Sequence, residues 1–148
     1  MLTTVRDILR NKGTDLWFVS PKTQLIDALK LMAEKNIGDL LILEGDAIAG
    51  IISERDLVRK IAQSEHCPLD SPVSEMMTPE VITVTPSQDI EICMELMTEH
   101  HIRHLPVVED NLPIGMISIG DVVKTIIDSH IFTIEQMEKY ISGSGYNQ

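Results

Sequence analysis

Two serine–aspartate pairs are the residues of this chain best suited to chemistry: Ser53 with Asp56, and Ser118 with Asp121, each three positions apart and 65 residues from its counterpart. Each pair closes an apolar stretch, Gly50-Ile51-Ile52-Ser53 and Gly115-Met116-Ile117-Ser118, and opens an apolar-periodic one. A serine at the last strand position with an acid at the third helical position forms a cap. The hydroxyl accepts from orphan backbone N–H groups, and the carboxylate faces the positive end of the helix dipole. That role needs no ligand. The same groups also offer N–H donors beside a hydroxyl for a phosphate, and a carboxylate that accepts from two vicinal ribose hydroxyls. The two roles are compatible.

Other reactive residue types point less far. His100, His101 and His104 suggest a metal site, but a helix is expected to end near His101 and a strand to begin at Ile102, so the imidazoles do not share a face. Histidines near a helix C-terminus also favour the dipole. No nucleophile stands beside a base and no carboxylates are paired in one cleft; Ser53 and Ser118 lack a histidine at matching positions, so no enzyme is expected. Cys67 falls in a proline-containing linker and Cys93 on the apolar face of a helix, with no CxxC spacing, which predicts free thiols. Met32, Met94 and Met97 fall on helical stripes and read as core.

The elements that must hold these residues follow from periodicity. Residues 4–12 predict a short helix capped by Thr4 and stopped by Gly13, packing on the body that follows it. Leu16-Trp17-Phe18-Val19 is a short strand, and Ser20-Pro21 reads as a cap with proline in the first helical turn, leading to the stripe Leu25, Ala28, Leu29, Met32. Residues 37–43 and 48–52 make a hairpin through Glu44-Gly45-Asp46, and Leu57, Val58 and Ile61 give the next helix its apolar face. Residues 19–58 then recur without a gap as 84–123, with 13 identical positions that include Pro21/Pro86, Gly50/Gly115, Ser53/Ser118 and Asp56/Asp121. Thr85-Pro86-Ser87-Gln88 reads as the capping box of the second copy. Val122, Val123, Ile126 and Ile127 continue one helix, Thr133-Ile134-Glu135-Gln136 starts another, and Ser142-Gly143-Ser144-Gly145 leads into a flexible tail.

The chain therefore divides into residues 1–66, a first repeat with its N-terminal helix; 67–72, an exposed linker; 73–128, the second repeat; and 129–148, a terminal helix and tail. The fold class is α+β, two β-α-β-β-α units each with a mixed sheet. A chain of 148 residues buries a proper core without staples, and with 43% hydrophobic but only 3% aromatic residues that core belongs to Leu, Ile, Val and Met. The net charge of −11 argues against nucleic acid as a partner, because counterion release needs clustered Lys and Arg. No apolar run approaches a membrane span, and the first residues lack the basic and apolar regions of a signal peptide, which predicts a cytoplasmic protein.

The duplicated unit, the strand start Ile102-Arg103-His104-Leu105-Pro106-Val107-Val108 and the Gly-h-Ser-x-x-Asp strand ends (h, apolar) together resemble a tandem pair of cystathionine-β-synthase (CBS) domains, a Bateman module, over roughly residues 5–128. The resemblance implies two halves packed sheet to sheet about a pseudo-twofold axis. Between them lie two clefts for adenosyl ligands: AMP, ADP, ATP, NAD(H) or S-adenosylmethionine. It also implies dimerisation into a flat disc.

Carried over by that resemblance, Asp56 and Asp121 hold ribose hydroxyls, Ser53 and Ser118 contact phosphate, and Arg55, Arg103 and His104 supply positive charge. The backbone around Ile37-Gly38-Asp39 and Ile102-Arg103-His104, with the strand starts near Leu16 and Val81, lines the adenine slots. The first half departs from the pattern, carrying Gly38-Asp39-Leu40-Leu41 where the second has Arg103-His104-Leu105-Pro106. The clefts are therefore expected to differ, the one with Asp121 taking more phosphate charge unless Arg55 compensates in the other. The chain ends soon after the second repeat, so no attached catalytic domain is expected. The expected function is that of a regulatory adenosyl-nucleotide sensor signalling to a partner protein as a homodimer, joined through residues 54–61 and 121–128, with no cofactor required. The alternative is a structural, tethering dimer that binds no nucleotide, and a weaker one is a hydrolase or synthase of unrecognised type.

Overall fold

In the computed structural model, which describes residues 3–143, the elements run α1 (Val5–Lys12), β1 (Phe18–Val19), α2 (Leu25–Lys35), β2 (Asp39–Glu44), β3 (Ala47–Ser53), α3 (Glu54–Ser64), a 3₁₀ turn (Val73–Glu75), α4 (Ile90–His100), β4 (His104–Glu109), β5 (Leu112–Ser118) and α5 (Ile119–Gly143). The first sheet is mixed, β1 parallel to β2 and β2 antiparallel to β3. The second consists of β4 antiparallel to β5, with the missing first strand reduced to a parallel bridge between Val84 and Val107. Both hairpins shift register at the same place, between Ile42 and Leu43 and between Val107 and Val108. The repeat thus extends to its irregularities. The first strand is shorter than its apolar run: Leu16 and Trp17 stand outside β1, and Trp17 is 40% exposed with the Lys35 ammonium 4.3 Å from its ring centre.

Each sheet has one face on its own helices. Leu40, Ile42 and Ile52 pack with Leu25, Ala28, Met32 and Leu57 in the first unit, and Leu105, Val107 and Ile117 with Ile90, Cys93, Met97 and Val122 in the second. On the opposite face Leu41 and its counterpart Pro106 are also fully buried, and β3 meets β5. Burial on both faces is what sheet-to-sheet packing requires.

The lead-in segments correct the sequence expectation. The first helix does not pack on the repeat that follows it: Val5, Ile8 and Leu9 of α1 lie in the core of the second unit, and Val73 and Met76, which precede the second repeat, lie in the core of the first. Both segments make the same backbone bonds. Val5 N–H donates to Gln88 O (2.9 Å) and Arg6 N–H to Pro86 O (2.9 Å), while Val73 N–H donates to Thr23 O (2.7 Å) and Ser74 N–H to Pro21 O (3.2 Å). Val5-Arg6-Asp7-Ile8-Leu9 and Val73-Ser74-Glu75-Met76-Met77 share a valine, an acid and two apolar residues in order, a likeness that a comparison confined to the 65-residue spacing passes over.

The same exchange relocates the helix starts. Ser20-Pro21 and Thr85-Pro86-Ser87-Gln88 form turns, closed by Thr23 N–H to Ser20 O (3.1 Å) and Gln88 N–H to Thr85 O (3.1 Å), and the helices begin at Leu25 and Ile90. Their first N–H groups are satisfied by the other half of the chain: Leu25 donates to Ser71 O (2.9 Å), Ile26 to Leu69 O (3.0 Å) and Ile90 to Thr3 O (3.1 Å). A carbonyl delivered by tertiary packing replaces the local hydroxyl cap. The linker is therefore docked through its backbone, although Cys67, Leu69 and Asp70 are exposed.

At the N-terminus the cap stands as expected, Asp7 Oδ2 accepting from the Thr4 N–H at 2.9 Å, and Gly13 at φ +96° ends the helix. At the other end the expected break near residue 130 does not occur. α5 is one helix of 25 residues, because no Gly or Pro interrupts 121–142 and Thr133 bonds back to Ser129 O (3.0 Å) instead of capping a new start. Ser142 and Gly143 belong to this helix; Ser144 and Gly145 lie outside the described residues.

Candidate functional site

Both serine–aspartate pairs sit where a hairpin feeds a helix, as their spacing requires. Ser53 caps α3, accepting from the Asp56 N–H at 3.1 Å, and Ser118 accepts from the Asp121 N–H at 3.1 Å. The first N–H of each helix is also committed, Glu54 to Gly38 O (2.9 Å) and Ile119 to Arg103 O (2.8 Å). Two of the first three donors of each helix are thus used internally. Anion binding here must rely more on side-chain cations than on the helix end.

The carboxylates then part ways. Asp121 completes a reciprocal cap, accepting from the Ser118 N–H at 2.8 Å, and is held by the Lys12 ammonium at 2.6 Å; the same ammonium donates to Met116 O at 2.8 Å. Partial burial raises the Asp121 pKa, but the bonds from Lys12 and from the Ser118 N–H outweigh it and hold the carboxyl below the usual range. Asp56 makes only the backbone cap through its N–H. Among the described residues its carboxylate has no hydrogen bond or ion pair.

Two cavities flank the pseudo-twofold axis. The one at Asp56, about 180 Å³, is lined by Ser53, Glu54, Arg55 and Asp56 from the α3 start, by Gly38, Asp39 and Ile51 from the first sheet, by Thr78, Glu80, Val81 and Ile82 from the second lead-in, and by His101, Ile102, Arg103, His104 and Pro106. The second, about 340 Å³, is lined by Lys12, Gly13, Asp15, Trp17, Asn36, Ile37, Gly38, Asp39, His104, Met116 and Ser118. Each cleft therefore combines the helix start of one repeat with the strand start of the other.

That crossing corrects the expected inequality. Arg103 and Ile102 serve the cleft of Asp56, not that of Asp121, so two guanidinium groups, Arg55 and Arg103, face one cleft and a single, already paired ammonium faces the other. Asp121 does not line the second cavity, lying behind Lys12, and Leu16 is half-buried outside it while its neighbour Trp17 forms the wall. Asp39 and His104 occupy matching positions of the two repeats and meet each other, Nδ1 to Oδ2 at 2.6 Å, between the two cavities. A residue near a twofold axis touches its own counterpart, which is why these two line both clefts. The three histidines separate: His100 ends α4, His101 takes a left-handed conformation at φ +54° and His104 opens β4.

The glycines of the repeated motif have a packing role. A Cβ on Gly50 meets Met77 Sδ at 2.6 Å and Thr78 O at 2.9 Å, and one on Gly115 meets Leu9 Cδ2 at 2.9 Å, so each glycine admits the lead-in segment of the other repeat. Lys12, Trp17, Thr78 and Glu80 join the clefts through these segments, and the Val-x-acid-apolar-apolar likeness is the sequence signal that leads to them.

The chain is similar in sequence and fold to known proteins. The CBS domain family matches residues 5–63 and 73–128. The mitochondrial CBS domain-containing protein CBSX3 of Arabidopsis thaliana is 40% identical over 154 residues, spanning 97% of this chain and 74% of the relative. A protein with CBS domains from Burkholderia ambifaria has a solved structure that matches with a TM-score of 0.81 at 49% identity, covering 85% of this chain and 95% of that one. The CBS domain pair of protein MJ0100, solved with 5′-methylthioadenosine and S-adenosyl-L-methionine, matches with a TM-score of 0.73 at 25% identity over 84% of this chain and 99% of that one. With its two matched segments, its exchanged lead-ins and its paired clefts, the chain belongs to the CBS domain family as a pair of CBS domains.

Proposed function

We propose that this CBS pair is a regulatory, non-enzymatic sensor that binds one adenosyl nucleotide, of the AMP, ATP or NAD type, in the cleft of Asp56 and passes its occupancy to a partner protein. The observation that carries this reading is the unpartnered Asp56 carboxylate in a cavity shared with Arg55 and Arg103. A carboxylate suits the ribose hydroxyls and two guanidinium groups suit a phosphate. That the related MJ0100 pair was solved with adenosyl compounds supports the ligand class. The cleft of Asp121 is read as structural in the resting protein, since Lys12 and the Ser118 N–H already occupy its carboxylate. The capping role and the binding role are thus divided between the two copies of one motif.

Signalling requires a second conformation or assembly for which the nucleotide has a different affinity. Exposed Val58 on α3 and Val123 and Ile127 on α5 support a homodimer as that assembly. We read the protein as cytoplasmic. Its acidic surface does not suit nucleic acid, and no helix among the described residues is long and apolar enough to cross a membrane.

Calorimetry with AMP, ATP, NAD, NADH and S-adenosylmethionine tests the reading. Asp56→Asn keeps the backbone N–H that Ser53 caps but removes the charge, so apo melting should hold while affinity falls by roughly 1.5–3 kcal/mol, about ten- to a hundredfold. Unchanged affinity in Asp56→Asn, or no binding of any of the five to the wild type, refutes the assignment and leaves the tethering role.

A further inference from the structure

Helix α5 outruns the body that supports it. Val122 is fully buried and Ile119 and Ile126 pack against the second core, but every side chain from 127 to 142 is exposed. A lone helical segment of that length is marginal in water, so its stability must come from packing. The apolar residues supply a face for it. Val123, Ile127, Ile134, Met137 and Ile141, with His130 as the one polar member, follow alternating steps of four and three residues, the a and d positions of a heptad repeat. They remain 38–71% exposed apart from His130, which is also exposed.

We infer that this stripe is the seam of an antiparallel two-helix coiled coil with α5 of a second copy, which rests on the homodimer reading above and gives it a register. The charges choose the direction. With the helices antiparallel and crossing near residue 132, Val123 faces Ile141 of the second copy, Ile127 faces Met137, and His130 faces Ile134. The flanking Lys124 then meets Glu138 of the second copy, an opposite-charge pair that occurs twice by symmetry. In a parallel pairing His130 lies against its own copy and Lys124 finds no acid, since the residue across from it is the apolar Ile119, the first of the helix. A lipid surface suits the stripe poorly, because Asp128, Glu135 and Glu138 outnumber Lys124 and Lys139 along the exposed stretch and interfacial helices carry a basic polar face.

The test uses the full chain with Cys67→Ser, Cys93 being buried. Light scattering at micromolar concentration should give a dimer, and Ile134→Asp should raise its dissociation constant at least about tenfold, with helix content falling only as the dimer dissociates. Mild oxidation should link Thr133→Cys to itself, because position 133 meets its own copy near the crossing, and should link the double variant Val123→Cys/Ile141→Cys, but not Ile141→Cys alone. A dimer in which Ile141→Cys links to itself and Thr133→Cys does not is a parallel pair and overturns the register while sparing the dimer. A dimer indifferent to Ile134→Asp, with none of these links, overturns the seam alone. A monomer overturns both, as does a wild-type monomer that co-sediments with anionic phosphatidylserine vesicles.

Discussion

Lys12 is the residue whose removal tests the inequality of the two clefts most directly. Its ammonium lies 2.6 Å from Asp121 and 2.8 Å from Met116 O, and Lys12→Met removes the charge while keeping the apolar stem. A hydrogen bond to a charged group contributes about 1.5–3 kcal/mol when well shielded. Here the Lys12 side chain is 39% exposed and Asp121 25%, so solvent screening reduces the figure to about 1 kcal/mol. For a domain of this size that lowers the melting temperature by about 2–4 °C. Because the folded Asp121 pKa is depressed, the contribution is complete above the unfolded carboxylate value of about 3.9 and is lost as pH falls through the lower folded value. The gap in melting temperature between wild type and Lys12→Met should accordingly be flat near neutrality and close only in acid. Freeing the carboxylate should also raise the affinity of this cleft for adenosine, whose ribose carries no phosphate for the lost ammonium to hold, by up to about fivefold, the equivalent of about 1 kcal/mol. Trp17 is the single tryptophan and lines this cavity, so its fluorescence reports the event. If Lys12→Met melts like the wild type, or if Trp17 answers adenosine equally in both proteins, Lys12 does not hold the cleft.

Two further outcomes follow from the packing. Gly50→Ala should destabilise by about 1–3 kcal/mol, because its Cβ meets a backbone oxygen, Thr78 O at 2.9 Å, whereas Gly115→Ala should cost less, since the Leu9 side chain that it meets can shift; equal losses in chemical denaturation refute this account. Burial pushes the Cys93 thiol up to about 11, with the nearby Asp89 adding to the shift, while Cys67 is exposed. A thiol reagent at pH 8 should modify one cysteine in the native protein and two after denaturation, and rapid native labelling of Cys93 contradicts the buried assignment.

What the sequence determined by itself was local or repeated. The hairpins ending in Ser53 and Ser118, the caps they make and the stripe Leu25, Ala28, Met32 follow from residue types within a few positions of one another, and duplication at matched places made the two-unit fold legible. Periodicity also found the helix faces. It could not place the helix starts at Leu25 and Ile90, because the carbonyls that satisfy their first N–H groups come from Ser71 and Thr3, distant in the chain.

The tertiary structure alone decided which residues share a cleft. Packing two sheets about a pseudo-twofold axis sets each helix start against the other repeat's strand start, so Arg103 joins Asp56 although it stands 18 residues from Asp121 in its own repeat, and Lys12 reaches Asp121 across 109 residues. A sequence offers Asp56 and Asp121 as equals. Whether a carboxylate is open to a ligand or already neutralised depends on which cation the packing brings within hydrogen-bond reach, and spacing along one strand or helix carries no information about that.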